Sequence, residues 1–243
     1  MHHVVLERWS RGSSAIHRRD PRAKFGALLV FLIVLATAHR ALPALGVALL
    51  LLLVGAIVAA RIPLAGALAR AAVVLPFTLA LGAACWLAGD PERGFALVLK
   101  SYLSALAVLT LVSTTPLPLL LRGLETIGVP QFPLMVAQFL YRYLFVISEE
   151  AQHMRVAAAA RGASALDLAL RPARFRAAAG ALAVLFARSY ARAEEIHRAM
   201  LARAFPGRFL TLDPLRFGGR DAAFLAAASI APALLRAAIE RLA

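Results

Sequence analysis

Residues Ala41 to Ala60 read ALPALGVALLLLLVGAIVAA, twenty positions without one charged side chain. A helix rises about 1.5 Å per residue, so this stretch alone reaches across the roughly 30 Å of hydrocarbon in a bilayer. Four further runs approach the same character. Phe25 to Ala38 is short but borrows the Ala23–Lys24 flank and His39. Ala71 to Gly89 is uncharged and sets Trp86 near one end, where an indole suits the interface. Gly94 to Ser113 carries only Lys100, close enough to its start to snorkel outward, and Ala222 to Leu235 reaches Ile239 if Arg236 snorkels. Pro43, Pro63, Pro91 and Pro116 sit at or near the ends of these runs, where helix boundaries belong.

Composition agrees. Of 243 residues 61% are hydrophobic, against roughly 45–50% in soluble chains, and 16% are charged. That excludes a disordered chain and disfavours a soluble enzyme. The single cysteine, Cys85, excludes an internal disulfide, a Cys-based zinc site and a CxxC redox pair. The net charge of +14 comes with only two lysines, Lys24 and Lys100, and with arginines that interrupt apolar runs. A bilayer with a basic cytoplasmic face accounts for both facts better than nucleic acid does. Residues 1–24 hold six Lys/Arg, and Arg61 and Arg70 lie between the second and third spans. The outer loops, His39–Arg40 and Asp90-Pro-Glu-Arg93, are poorer in charge. The N-terminus is therefore expected in the cytoplasm, with no cleavable signal visible because the first 24 residues are too polar.

Residues 114–220 hold fourteen Arg and no Lys. Helices are expected from about Leu134 to Arg161 and from about Arg174 to Ala204, with a short one around Leu117 to Ile127. Pro130, Pro133, Gly162, Pro172, Pro206 and Gly207 separate them. Leu182, Leu185, Phe186, Ser189, Ala193, Ile196, Met200 and Phe205 recur at helical spacing, with Arg188, Arg192 and Arg198 between them. These amphipathic helices suit a membrane surface or another protein. The first ends Ala160-Arg161-Gly162 and the second Ala202-Arg203-Ala204. By chemistry alone Gly162 is an ordinary residue past a helix end, and Arg161 complements the helix dipole. Repeated on consecutive helices, the pattern reads as a pair of plugs, each a planar charged fork beside small residues.

Four stretches carry a family resemblance. They are Leu6-Glu7-Arg8 with Ile16-His17 and Asp20-Pro21-Arg22-Ala23-Lys24; Thr114-Thr115-Pro116 leading to Leu124 and Gly128-Val129-Pro130; Tyr141-Arg142-Tyr143 with Glu149-Glu150 and Ala160-Arg161-Gly162; and Ala199 to Phe205. Together they resemble the transmembrane T component of energy-coupling factor (ECF) transporters, in the cobalt/nickel branch, the CbiQ family. The resemblance implies an all-α polytopic membrane bundle of about five spans with a cytoplasmic coupling domain. It divides into an N-terminal segment 1–24, a four-span bundle 25–113, coupling helices 114–220 and a last membrane helix 221–243. It also implies that Arg161 and Arg203 dock into grooves of two ATP-binding cassette ATPase subunits. Ala160, Gly162, Ala202 and Ala204 flank them, and Ala204 stands where the family has Gly. A separate membrane subunit would bind the cation, cobalt in first place and nickel in second, with a small accessory membrane subunit beside it. The implied location is the inner, plasma membrane. No catalytic residue, metal ligand or cofactor is assigned to this chain.

Other chemistry fits these residues less well. A P-loop needs Gly-Lys-Ser/Thr, and neither lysine follows a glycine, so ATP falls to a partner. Glu150-Ala-Gln-His153 and Glu194-Glu-Ile-His197 both have Glu-x-x-His spacing, which in pairs builds carboxylate di-iron sites. An integral-membrane di-iron oxidase is thus the alternative reading. Its supporting carboxylates are missing: Glu7, Glu92, Glu125 and Glu240 all lie outside the spans, and Glu149 and Glu195 point elsewhere. His2 and His3 are a lone pair at one end of the chain.

Overall fold

A computed structural model describes residues 9–10, 12–38, 41–161, 172–207, 209, 215 and 217–242. Every regular element among them is a helix. The Leu6-Glu7-Arg8 stretch, His39–Arg40 and Gly162 lie outside the described residues. The chain divides into two compact units, Met1–Gly128 with Pro214–Ala243, and Val129–Asp213.

The first unit begins with α1 (Pro21–Ala36). Asp20 caps it, its carboxylate accepting from the Arg22 N–H at 2.8 Å, and Pro21 occupies the first turn where no N–H is needed. α2 (Leu42–Ala59) closes on Arg61 at φ +57°, and the buried Ile62 returns its N–H to the Ile57 carbonyl at 3.2 Å. α3 (Leu64–Ala71) runs through one 3₁₀ turn (Ala72–Val74) into α4 (Leu75–Leu87). Asp90 caps α5 (Pro91–Thr114), which stops as Thr115 extends before Pro116. The short α6 (Leu117–Thr126) follows, and α9 (Gly219–Leu242) completes the unit.

Four of these runs are long and apolar enough to cross a membrane: Leu42–Ala59, Leu64–Leu87, Pro91–Thr114 and Gly219–Arg241. α1, at 16 residues, is about 24 Å long and falls short by itself. It nevertheless lies along α5, with Lys24 on the Thr114 carbonyl at one end and Lys100 on the Ala36 carbonyl at the other. α1 and α9 run parallel, joined by Asp20–Asp221 at their starts and Thr37–Arg236 further on. Phe31, Leu35, Leu45, Leu49, Ile57, Leu103 and Leu106 fill the core between α1, α2 and α5. Outside it, Leu51, Phe77, Leu87 and Leu234 are exposed, and only 6% of the apolar window of α9 is buried. Apolar surface this extensive is covered by lipid in a membrane protein. The molecule is an all-α, polytopic membrane helix bundle with a pair of long amphipathic helices.

Several sequence expectations shift. The third run begins at Leu64, not Ala71, and Arg70 sits on the last turn of α3 instead of in a connecting segment. Its guanidinium lies 3.7 Å from the centre of the Trp9 ring, so the charge is met without ending the helix. The first run covers Pro21–Ala36, which makes Lys24 a buried first-turn residue instead of an interfacial flank. The last extends to Leu242, with Pro232 buried inside it. Arg236 and Lys100 do more than snorkel. Both donate to carbonyls at the end of α1, Arg236 to Thr37 at 2.9 Å and Lys100 to Ala36 and Ala38 at 3.0 and 2.7 Å. Cations there satisfy the orphaned C-terminal carbonyls.

The second unit holds two long helices, α7 (Gln131–Ala160) and α8 (Pro172–Ala202). α7 starts three residues before the expected Leu134, because Pro133 falls in the first turn, where proline is tolerated. Pro172, expected as a separator, is the first residue of α8 for the same reason.

Candidate functional site

α7 and α8 cross near Glu150 and Arg188, which form a short ion pair between the two helices. One groove beside the crossing is lined by Met135, Phe139 and Tyr143 of α7 and Ile196, Met200 and Phe205 from the α8 side. The other is lined by Met154, Ala158 and Arg161 on one side and Ala178, Leu182 and Leu185 on the other. The start of α7 therefore faces the end of α8, and the end of α7 faces the start of α8. The pair is antiparallel, so the two C-terminal tips point away from the crossing in opposite directions. At about 1.5 Å per residue, Arg161 lies roughly 16 Å along α7 from Glu150, and Arg203 roughly 22 Å along α8 from Arg188.

The first tip grows out of Ala157 to Ala160, the strongest helix-forming run in α7. Arg161 caps it at φ −92°, ψ 16°, with its N–H on the Ala158 carbonyl at 3.1 Å. The side chain is exposed on the rim of the second groove.

The second tip is a complete Schellman turn. Arg203 closes the helix on Ala199 and Met200, Ala204 turns left-handed at φ +52°, and its N–H meets the Leu201 carbonyl at 2.9 Å. Phe205 then returns its N–H to Met200 at 3.0 Å, and Pro206 prevents continuation. Arg203 is exposed and Phe205 half-buried. An aromatic chain ties this end to α7. Phe205 meets Phe209 at 5.4 Å, Phe209 meets Phe139 at 5.1 Å, and Phe139 stacks on Tyr143 at 6.1 Å. Phe139 and Tyr143 are readable as an i, i+4 pair, whereas no local pattern marks Phe209.

Left-handed φ costs an alanine roughly 1 kcal/mol more than a glycine. Ala204→Gly is accordingly expected to firm the second tip by up to about 1 kcal/mol, read as slower amide exchange in the last turn of α8. Unchanged or faster exchange there would contradict the strain.

The apolar stripe foreseen on α8 is divided by the crossing. Ser189, Ala193, Ile196, Met200 and Phe205 line one groove, Leu182 and Leu185 the other. Phe186, expected on that face, is exposed. The two Glu-x-x-His pairs are also divided. His197 lines the first groove and His153 the second, while Glu150 is held by Arg188 and Glu194 by Arg198 at 2.8 Å. No group of three or more His, Cys, Asp or Glu comes together among the described residues. The di-iron reading is left without a converging ligand set there.

The chain is similar to known proteins over most of its length. A family model for CbiQ, described as a cobalt transport protein, matches residues 12–211. The chain is 27% identical over 229 residues to an energy-coupling factor transporter transmembrane protein EcfT of Bacillus selenitireducens, covering 84% of each. It is 28% identical over 229 residues to an EcfT of Acidaminococcus fermentans, again covering 84% of each. It is also 32% identical over 122 residues to a cobalt transport protein CbiQ of Rhodobacter capsulatus, covering 50% of this chain and 48% of that one.

Proposed function

The chain belongs to the CbiQ family of cobalt transport proteins, and on that premise we propose that it is the transmembrane coupling subunit of an ECF-type importer for a transition-metal cation, cobalt before nickel. It has no catalytic activity of its own. Two ATP-binding cassette subunits hydrolyse the ATP, a separate membrane subunit binds the ion, and a small accessory membrane subunit completes the set. The coupling unit faces the cytoplasm, as does the N-terminus, and the bundle sits in the plasma membrane.

The observation that carries this reading is the pair of exposed arginines, Arg161 and Arg203, on opposite ends of one antiparallel crossing. One guanidinium enters a groove on each ATPase subunit, with Ala160 and Gly162, or Ala202 and Ala204, allowing close approach beside it. When ATP draws the ATPase subunits together, both tips are carried along. The ion pair Glu150–Arg188 holds the crossing as a pivot, so displacement of the tips changes the angle between α7 and α8. Their apolar grooves pass that change to the ion-binding subunit, which releases its cargo inward. Bringing a divalent cation into the bundle itself would demand acidic or histidine ligands within the spans, and none lies in the apolar runs Ala41–Ala60, Ala71–Gly89 or Gly94–Ser113.

Coexpression tests this directly. The tagged chain is expected to copurify with two ATPase subunits and the ion-binding subunit, and its omission should abolish ATP-dependent cobalt uptake by reconstituted vesicles. Uptake that persists without it would overturn the proposal.

A further inference from the structure

One sequence motif has no part in the docking tips, the five-residue Asp20-Pro21-Arg22-Ala23-Lys24. It occupies the cap and first turn of α1, and its side chains reach four separate segments of the first unit. Lys24, 5% exposed, spends all three ammonium protons on the His17 carbonyl at 3.2 Å, the Thr114 carbonyl at 2.9 Å and Thr115 Oγ1 at 3.0 Å. Pro21 packs on α6 at Gly123, where an added Cβ would stand 3.2 Å from the proline ring. Arg22 donates from Nη2 to the Leu215 carbonyl at 2.8 Å and keeps Nε 3.3 Å from Asp20. The Asp20 N–H donates to Asp221 Oδ1 at 3.2 Å, and the other oxygen of Asp221 accepts from the Gly218 N–H at 3.1 Å.

These partners have a shared place in the connectivity. The chain leaves the first unit through Thr114–Gly128 and re-enters it at Pro214. Thr114, Thr115 and Gly123 belong to the outgoing connection; Leu215, Gly218 and Asp221 belong to the returning one. Both are tied to a single turn of α1 by contacts that bridge 90 to 201 positions of sequence.

We propose that Asp20–Lys24 is an anchor that fixes the outgoing and returning connections to α1, with Lys24 the positioning residue for the first and Arg22 for the second. Its purpose in coupling rests on the function proposed above. Displacement of the helices carrying Arg161 and Arg203 reaches the bundle through two chain connections. If both are held on one helix they move α1 as a unit, whereas a loosened connection absorbs the displacement in its own backbone. Burial suits the task, because a buried ammonium deprived of its acceptors is costly, and the contact resists slipping.

The experiment has two arms. In the first, full-length protein in detergent is compared by hydrogen exchange with Lys24→Met and Arg22→Gln. Lys24→Met is expected to speed exchange at least about 10-fold in peptides spanning 114–128, and Arg22→Gln in those spanning 215–221, with α7 and α8 unchanged. Equal exchange in both variants and wild type, or a uniform rise across the chain, overturns the anchor. Should Lys24→Met fail to accumulate, Thr115→Val, which keeps shape and charge while removing one acceptor, decides by the same criterion at 114–128. In the second arm, the assembled transporter carrying Lys24→Met should retain its ATPase subunits yet move at least about 5-fold less cobalt per ATP hydrolysed. A wild-type ratio with altered exchange overturns the coupling role. Wild-type protein that binds no ATPase at all refutes the proposed function instead, while the exchange arm still tests the anchor.

Discussion

Arg161→Glu combined with Arg203→Glu is expected to strip both ATPase subunits from the solubilised complex in a single wash. Each guanidinium is exposed in the free chain, so neither holds the fold together, and the folded bundle should survive the change. In a docked groove the same group makes charge-assisted hydrogen bonds, whose loss with a repelling carboxylate in place costs about 3 kcal/mol per tip. That is over a hundredfold in each contact. On the proposed docking, in which tips on opposite sides of the crossing serve different subunits, the single variants should each weaken binding. Arg192→Glu is the matched control. Arg192 is an exposed arginine of α8 just past the crossing, about 16 Å along the helix from Arg203 and on the other side of the crossing from Arg161, and its reversal should leave the complex intact. Undiminished ATPase recovery with the double variant would refute the docking assignment, and equal losses with Arg192→Glu would reduce it to a general effect of net charge.

Gly94→Val should be the most damaging single change in the membrane bundle. α4 and α5 meet as a hairpin in which two glycines face each other, and a Cβ on Gly94 would stand 2.6 Å from the Gly82 carbonyl oxygen. Nothing flexible lies in that direction, since the obstructing atom is backbone. On the Gly82 side the same approach leaves 3.2 Å to the Gly94 oxygen and 2.9 Å to Val98. Small residues of this kind allow helix backbones to pack closely in lipid, where the hydrophobic effect does not drive association. Overpacking at a backbone contact costs about 3 kcal/mol, or on the order of 10 °C in the melting temperature of the detergent-purified protein. Gly55→Ala provides the contrast. Gly55 has no atom within 4 Å of its added Cβ, so alanine there should be neutral or stabilise α2 by up to about 1 kcal/mol. A Gly94→Val protein that melts with wild type would show that the two helices do not meet at this point.

The amphipathic pair was legible because its signals are local. Helical spacing of apolar residues, proline near each start and the repeated Ala-Arg ending all act within a few turns, and α7 and α8 begin within three residues of where those signals put them. Ala204 was recognisable as a departure, but only the backbone shows that it must turn left-handed there. Phe209 and the splitting of the two Glu-x-x-His pairs were not legible, since both depend on where α8 crosses α7. Arg70 was misplaced for a similar reason. A charge after a proline looks like a connecting segment until an indole from Trp9 is found covering it.

By itself, then, the chain's order of residues determined that it is a helical membrane protein and where its apolar runs and arginine endings fall. Those features follow from hydrogen bonding along the backbone and from the period of side chains around one helix. The tertiary structure alone decided that Lys24 is buried, that Arg22 reaches Leu215 and that Arg236 closes the end of α1. Such contacts join residues up to 202 positions apart, and no periodicity along a chain encodes which distant carbonyl will lie beside a given cation once the helices have packed.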